Sequence, residues 1–437
     1  MKKALILTYY WPPCGGVPVQ RWVKMARHLR SFGWEPVIYT ALNGEMPVID
    51  ETLEATLPDG LTVVRRPINE PYSMYKRLTG LRKEDKINAA FLQEKKKSGR
   101  MHELAVWIRG NFFIPDARKF WIRPSVNFLI QYLKKHPVDA IISTGPPHTM
   151  HMIAMGLAKN TGLPWVADFR DPWTKIDYYH ELHLSKRADR LHHKLENEVL
   201  NTATKVVTVS RHWADDFNSK NNGNTVVITN GFDERDFSSP TNETESGFVL
   251  HHVGMINKAR NPELFWKAVR NLCDSDVKFN QLIKIRLTGK TDFSVQSCIE
   301  KYQLQEKIIK TDHVDHATAI AMMRRSPVLL LLLNDTQDIL GRIPAKVFEY
   351  LAARRPILAV GNPEGDAAEI IISSKAGEVA DLNDLHSIQD ALRKLFDNYL
   401  LGKLFTDPEN IQRYSGAALA KNYADLLNSF YHVSDKN

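Results

Sequence analysis

Short apolar runs, many of them β-branched, punctuate this chain at intervals that leave room for a helix between most neighbours. Ala4–Thr8, Pro36–Tyr39, Ala140–Ser143, Trp165–Phe169, Val206–Val209 and Val226–Ile228 form one series. Phe248–His252, Ile283–Thr288, Val328–Leu333, Ile357–Val360 and Gly377–Val379 form another. A short run that is apolar on both faces suits a strand buried within a parallel sheet. The stretches Val19–Phe32, Pro262–Leu272, Ala317–Arg324 and Lys346–Ala353 instead carry apolar residues at helical spacing. This alternation predicts an α/β fold with doubly wound parallel sheets.

The two series are separated by Asp233–Gly247, DERDFSSPTNETESG, which has few core-forming residues and many turn formers. A chain of 437 residues also exceeds what one ordinary core fills. The reading is therefore two Rossmann-like domains, 1–235 and 248–410, facing each other across a cleft. Residues 411–437 form a last helical segment packing back on the first domain. Ligands of such sheets sit at the carboxyl ends of strands, where loops enter helices, so candidate chemistry is sought there.

Composition narrows the field. The three cysteines, Cys14, Cys273 and Cys298, are scattered, which fits a reducing compartment and argues against a cysteine-built zinc site. The apolar start after Lys2 and Lys3 is broken at once by Tyr9-Tyr10-Trp11-Pro12-Pro13, so it reads as a strand rather than a leader. Val328–Leu333 is far too short to span a membrane, and a cytoplasmic chain is expected. Such a chain would leave the sequon Asn242-Glu243-Thr244 unused. The net charge of +8 is concentrated in Lys76–Lys135, which holds Lys95-Lys96-Lys97 and the aromatics Trp107, Phe112, Phe113, Phe120 and Trp121. That mixture fits a face for anionic membrane or a phosphate-bearing acceptor, or else a solvated face over core aromatics. No helix-turn-helix, zinc-finger or RRM pattern supports nucleic acid.

Five loops follow strands. In the first, Gly15 and Gly16 precede a helix and allow main-chain amides to approach an anion. The spacing matches neither a dinucleotide fingerprint nor a P-loop. The second, STGPPHTMH, offers His148 and His151 for hydrogen bonding or proton transfer, with core packing as the alternative for His151. The third clusters Asp168, Arg170 and Asp171 beside Trp173, which suits a polar site edge or a structural ion pair. The fourth follows Gly254 with Lys258 and Arg260 just ahead of a helix, a setting for a diphosphate. In the fifth, Lys346 and Glu349 share one helix face, so a lysine can meet phosphate while a carboxylate accepts ribose hydroxyls. An intrahelical salt bridge is also consistent with that spacing.

The order and spacing of GGVPVQRWVKMARHLRSFGWEPVIYT, IISTGPPHTMH, LPWVADFRDPW, VTVS, ITNGFD, VGMINKARNP and IPAKVFEYLAARRPILAVGNPEGDAAEII resemble the family 4-type retaining glycosyltransferases of the GT-B fold. The resemblance spans nearly the whole chain. It implies a nucleotide-sugar donor held mainly in the C-terminal domain, a glycan or lipid-linked acceptor in the N-terminal one, and no obligatory metal or cofactor. It also implies transfer with retention, in cell-surface polysaccharide synthesis, and suits work at the inner face of a membrane. Donor-binding candidates are Gly15, Gly16, Gly254, Lys258, Arg260, Lys346 and Glu349; catalytic candidates are His148, Arg170 and Asp171. Gly15, Gly16, His148 and Asp168–Asp171 are also expected to border the acceptor. The chain departs from the family pattern in two places. Gly341 stands where a first, sugar-facing glutamate is usual, and Met255 stands where an arginine is usual, with Lys346 expected to substitute. A GT-B sugar-nucleotide epimerase, or a degenerate glycosyltransferase serving as a binding partner, is the alternative.

Overall fold

The computed structural model describes residues 1–70, 100–176, 179–238, 244–334, 340–404 and 406–431. Lys95-Lys96-Lys97 and two residues of the sequon, Asn242 and Glu243, lie outside them. The chain divides into two compact units, Met1–Thr229 with Gly416–Asn437, and Asn230–Ser415.

Among the described residues, the first unit is built on β1 (Lys2–Leu7), β2 (Trp34–Ala41), β3 (Thr62–Arg66), β4 (Ala140–Gly145), β5 (Trp165–Phe169), β6 (Lys205–Thr208) and β7 (Thr225–Val227). They lie in the order β3-β2-β1-β4-β5-β6-β7, and every described pairing is parallel. Side chains alternate between two buried layers, as the two-residue period of a strand requires. Leu5 and Leu7 join Leu129, Ile153 and Phe217 on one face, while Ala4 and Ile6 join Trp22, Val19 and Trp34 on the other. That second layer is closed by the C-terminal helix Gly416–Ser429, through Leu419, Tyr423 and Leu427. Tyr423 packs edge-on against Trp22 of the Val17–Leu29 helix, ring centroids 5.1 Å apart.

The second unit carries β8 (Phe248–Val253), β9 (Ile283–Thr288), β10 (Ile308–Thr311), β11 (Val328–Leu332), β12 (Ile357–Gly361) and β13 (Gly377–Asp381). Their order, β10-β9-β8-β11-β12-β13, is again parallel throughout. In each sheet the strand order reverses direction once, between β1 and β4 and between β8 and β11. A crevice opens at such a switch point, and the loops after those strands line it.

Two edge strands, β3 and β10, were absent from the expected set. Both are short, and their residues TVVRR and IIKT are half-exposed, so no continuous apolar run marks them. The expected joint at Asp233–Gly247 also differs from the observed grouping. Residues from Asn230 onward belong to the second unit: Phe232 is buried there, its amide donates to Tyr414 O at 3.1 Å, and Glu245 pairs with Arg286. The C-terminal return to the first unit begins at Gly416 rather than 411, because Ile411 and Tyr414 remain in the second unit's core.

Candidate active site

In the second unit, the loops after β8 and β11 and the start of the Lys346–Ala353 helix converge. Gly254 has φ +115°, and a Cβ placed on it would lie 2.1 Å from Lys346 Nζ. Only glycine leaves room for the ammonium there. The helix is fixed from below by Tyr350, whose hydroxyl accepts from Val253 N at 3.1 Å. Arg260 donates through Nε to the side chain of Asn334, which is 5% exposed at the end of β11. Lys346 is half-buried, and burial together with repulsion from Arg260 pushes its pKa down to about 8, Glu349 offsetting only part. Two cations held close in a partly desolvated place favour an anion between them. His252 lies beneath, fully buried, with Nδ1 against Leu330 O at 3.0 Å and Nε2 unpartnered. Burial holds it neutral, well below the usual histidine range, and the charges of Lys346 and Arg260 act in the same direction.

Glu349 is half-buried one helical turn beyond Lys346. Lys258, by contrast, is exposed on the short turn Lys258–Arg260, with Asp292 as a charged neighbour. Gly341 is buried, and the next residue, Arg342, lines a small pocket with Asn334, Pro344, Asn362 and Gly365.

In the first unit, the loops after β4 and β5 carry the other candidates. His148 is 7% exposed at the start of the Thr149–Thr161 helix and stacks face to face on Trp173, with centroids 4.6 Å apart. Burial pushes its pKa well down, so it is a neutral imidazole, and Nδ1 is buried without a partner. His151 is a core residue: it bonds Ser143 Oγ at 2.8 Å and stacks on Phe169 at 4.3 Å. Trp173 is held by its indole N–H on His192 and by its amide on the buried Glu196.

The cluster Asp168–Asp171 separates into different roles. Asp168 is fully buried and accepts from Arg21 Nη2 at 3.0 Å, Arg21 Nε at 3.2 Å, Trp22 Nε1 at 3.0 Å and Thr144 Oγ1 at 2.9 Å. It is therefore a structural hub rather than a site-edge carboxylate. Burial opposes its charge, but Arg21 prevails and holds its pKa below the usual aspartate value. Arg170 is 9% exposed and donates to Gly145 O at 3.2 Å and Pro146 O at 2.6 Å. Asp171 is half-buried beside it.

The two glycines after β1 differ in their surroundings. The Gly15 amide donates to Val48 O at 3.0 Å, so it is committed within the protein. A Cβ at this position would meet Asp50 Cβ at 2.8 Å, which explains the glycine by packing alone. Gly16, at φ +89°, precedes the Val17–Leu29 helix as its cap. Sequence reasoning missed Arg21, Asn334, Glu196 and His192. Their roles depend on contacts far apart in the chain, and no local motif surrounds them.

Residues 16–231 match the model of a glycosyl transferase 4-like domain, and residues 233–414 match that of glycosyl transferases group 1. No curated protein matches in sequence. The fold is similar to sucrose-phosphate synthase from Thermosynechococcus elongatus, with TM-score 0.65 and 12% identity over 99% of this chain and 100% of that one. It is also similar to HepE of Anabaena bound to UDP and glucose (TM-score 0.61, 15% identity, 98% and 100% covered). An α,α-trehalose-phosphate synthase from Burkholderia xenovorans gives TM-score 0.57 at 11% identity, with 98% and 100% covered. Two family models in tandem, each on its own parallel unit with candidate residues at its switch point, place the chain among the family 4-type glycosyltransferases of the GT-B fold.

Proposed function

We propose that this glycosyltransferase moves a sugar from a nucleotide-sugar donor to a glycan or lipid-linked acceptor, with retention of anomeric configuration, in cell-surface polysaccharide synthesis. The observation that carries the reading is Lys346, half-buried against Gly254 beside Arg260. These two cations receive the diphosphate and stabilise the charge that develops on the leaving group. Glu349, on the same helix face as Lys346, accepts the ribose hydroxyls. HepE, a relative in fold, was crystallised with UDP and glucose, which supports a donor of this kind. The loops bearing His148, Arg170 and Asp171 receive the acceptor. His148, being neutral, serves as a hydrogen-bonding group rather than a cation. Neither a metal nor another cofactor is required, so turnover persists in a chelator. The enzyme works at the cytoplasmic face of an anionic membrane, held by the exposed aromatics Trp107, Phe112 and Phe120.

Incubation with a panel of nucleotide sugars and membrane-extracted acceptors tests the reading. Acceptor-dependent release of nucleotide, with the product anomer assigned by NMR as that of the donor, supports it. Epimerised nucleotide sugar without acceptor, an inverted product, or no turnover with any donor would overturn it.

A further inference from the structure

Three arginines are buried among the described residues: Arg21 at 5%, Arg118 at 8% and Arg170 at 9% exposure. Arg21 is paired with Asp168 at 3.0 Å, and Arg118 with Glu70 at 2.8 Å. Arg170 has no carboxylate within ion-pair distance among the described residues, and its hydrogen bonds go to two main-chain carbonyls, Gly145 O and Pro146 O. Those bonds use Nε and Nη2, leaving Nη1 without a hydrogen-bond partner among the described residues. A guanidinium cannot shed its proton, so a buried one without a counter-charge is costly unless something else compensates it. Neighbouring carboxylates do so incompletely. Asp168 is already committed to Arg21, Trp22 and Thr144, and Asp171 acts on Arg170 only at longer range. Burial accordingly outweighs both carboxylates and lowers the arginine's pKa.

The surroundings favour a ligand. Arg170 lies after β5 on the carboxyl edge of the sheet, and its carbonyl anchors end β4 and begin the next loop. His148, on that loop, is within its electrostatic reach and has a buried, unpartnered Nδ1. The charges of both Arg170 and Arg118 act on the Tyr10 hydroxyl, just past β1. Strands β1, β4 and β5 thus bring an incompletely compensated guanidinium, a phenol and a neutral imidazole to the switch point of the first unit.

We propose that Arg170, with Tyr10 and His148, forms a subsite for an oxyanion, and that the acceptor carries a phosphate or carboxylate group which this subsite reads. The proposal rests on the first unit being the acceptor side. It assigns Arg170 to substrate recognition, whereas a purely structural arginine would only hold the Gly145–Pro146 turn.

The test uses the full chain with UDP added to occupy the second unit, UDP binding being measured in the same samples by calorimetry. Inorganic phosphate and, separately, acetate are then titrated at constant ionic strength, with binding followed calorimetrically and by the rise in melting temperature. One of the two anions is expected to bind the wild type. Arg170→Met should weaken it by about tenfold or more, the loss expected for charge-assisted hydrogen bonds, while Lys346→Met leaves it unchanged. Arg170→Lys, which keeps the charge without the fork, is the second variant if Arg170→Met does not fold, and should also bind more weakly. Phosphate binding indicates a phosphate-bearing acceptor, and acetate binding a carboxylate-bearing one. The subsite is refuted if neither anion binds, or if loss follows Lys346→Met instead of the Arg170 variants. Failure of UDP to bind counts against the donor assignment and leaves the Arg170 comparison readable.

Discussion

Lys346 titrates inside the range in which such an enzyme is assayed, because its pKa is pushed from 10.5 to about 8. Between those two values the unfolded chain holds more protons than the folded one, so this group makes stability rise with pH across that window. Donor binding at the proposed site runs the other way, since a diphosphate favours the ammonium. Affinity for nucleoside diphosphate should be level below pH 8 and fall above it, by up to about tenfold per unit. Calorimetry near pH 8.5 in buffers of different ionisation enthalpy should register proton uptake on binding. Lys346→Arg should abolish both effects, and a flat affinity without proton uptake in the wild type would remove Lys346 from the phosphate site. Asp168 makes a different kind of prediction. Asp168→Ala strands the buried Arg21 guanidinium, a loss of roughly 3–5 kcal/mol for a broken buried pair. Asp168→Asn keeps part of the hydrogen bonding and should lose less. Urea denaturation of the first unit's tryptophan signal reads both, and an unchanged midpoint in Asp168→Ala would contradict the hub. Since its folded pKa is depressed, the Asp168 contribution is present above the unfolded aspartate value and lost as pH falls through the folded one.

At the scale of elements, the C-terminal helix is the part whose removal should do most damage. Leu419, Tyr423 and Leu427 are buried against the sheet and the Val17–Leu29 helix, and each such side chain contributes roughly 1.5–3 kcal/mol. Their sum rivals the net stability of a whole domain. A chain ending at Ser415 should therefore lose near-ultraviolet circular dichroism and become proteolytically open in the first unit; an unchanged melt would contradict this. The central strands were legible because parallel strands covered on both faces must be continuously apolar, as in Val328–Leu332. Edge strands escape that requirement, and β3 and β10 went unseen for it. The Lys346–Ala353 helix was legible to the residue, as was its pairing of Lys346 with Glu349 on one face. What stayed hidden are partnerships that only folding creates. Arg21 meets Asp168 across 147 positions and Tyr423 across 402. Gly15 looked like an anion cradle because its contact with Asp50 depends on how a distant loop returns.

For the whole molecule, the question is what holds it where its acceptor is. No helix among the described residues is long and apolar enough to cross a membrane. On the first unit, however, Leu104 is 50% exposed, Trp107 40%, Phe112 57% and Phe120 56%, whereas Trp121 is buried at 3%. The aromatics of this stretch thus divide: Trp121 joins the core, Phe113 is half-buried edge-on against Phe120, and Trp107, Phe112 and Phe120 face outward. Lys119 Nζ donates to Phe112 O at 2.5 Å and lies 5.2 Å from the Phe120 ring, tying a cation into the apolar cluster. Arg123, Lys134 and Lys135 are exposed on the following helix, Ile122–Lys135. Amphipathic aromatic rings favour the headgroup level of a bilayer, and each basic residue near an anionic surface adds about 1 kcal/mol. The chain should sediment with phosphatidylserine-containing vesicles at low salt and not with neutral ones. A net charge of +8 would by itself give some of that attraction, so the decisive variant leaves charge untouched. Trp107→Ser combined with Phe112→Ser should weaken binding at every salt concentration, since inserted apolar area is not screened. Arg123→Gln combined with Lys134→Gln should weaken it mainly at low salt and flatten the salt dependence. If the serine variant binds anionic vesicles as the wild type does, the exposed aromatics are no anchor and charge alone accounts for the attraction. Absence of binding by the wild type at low salt would remove the membrane from the account altogether.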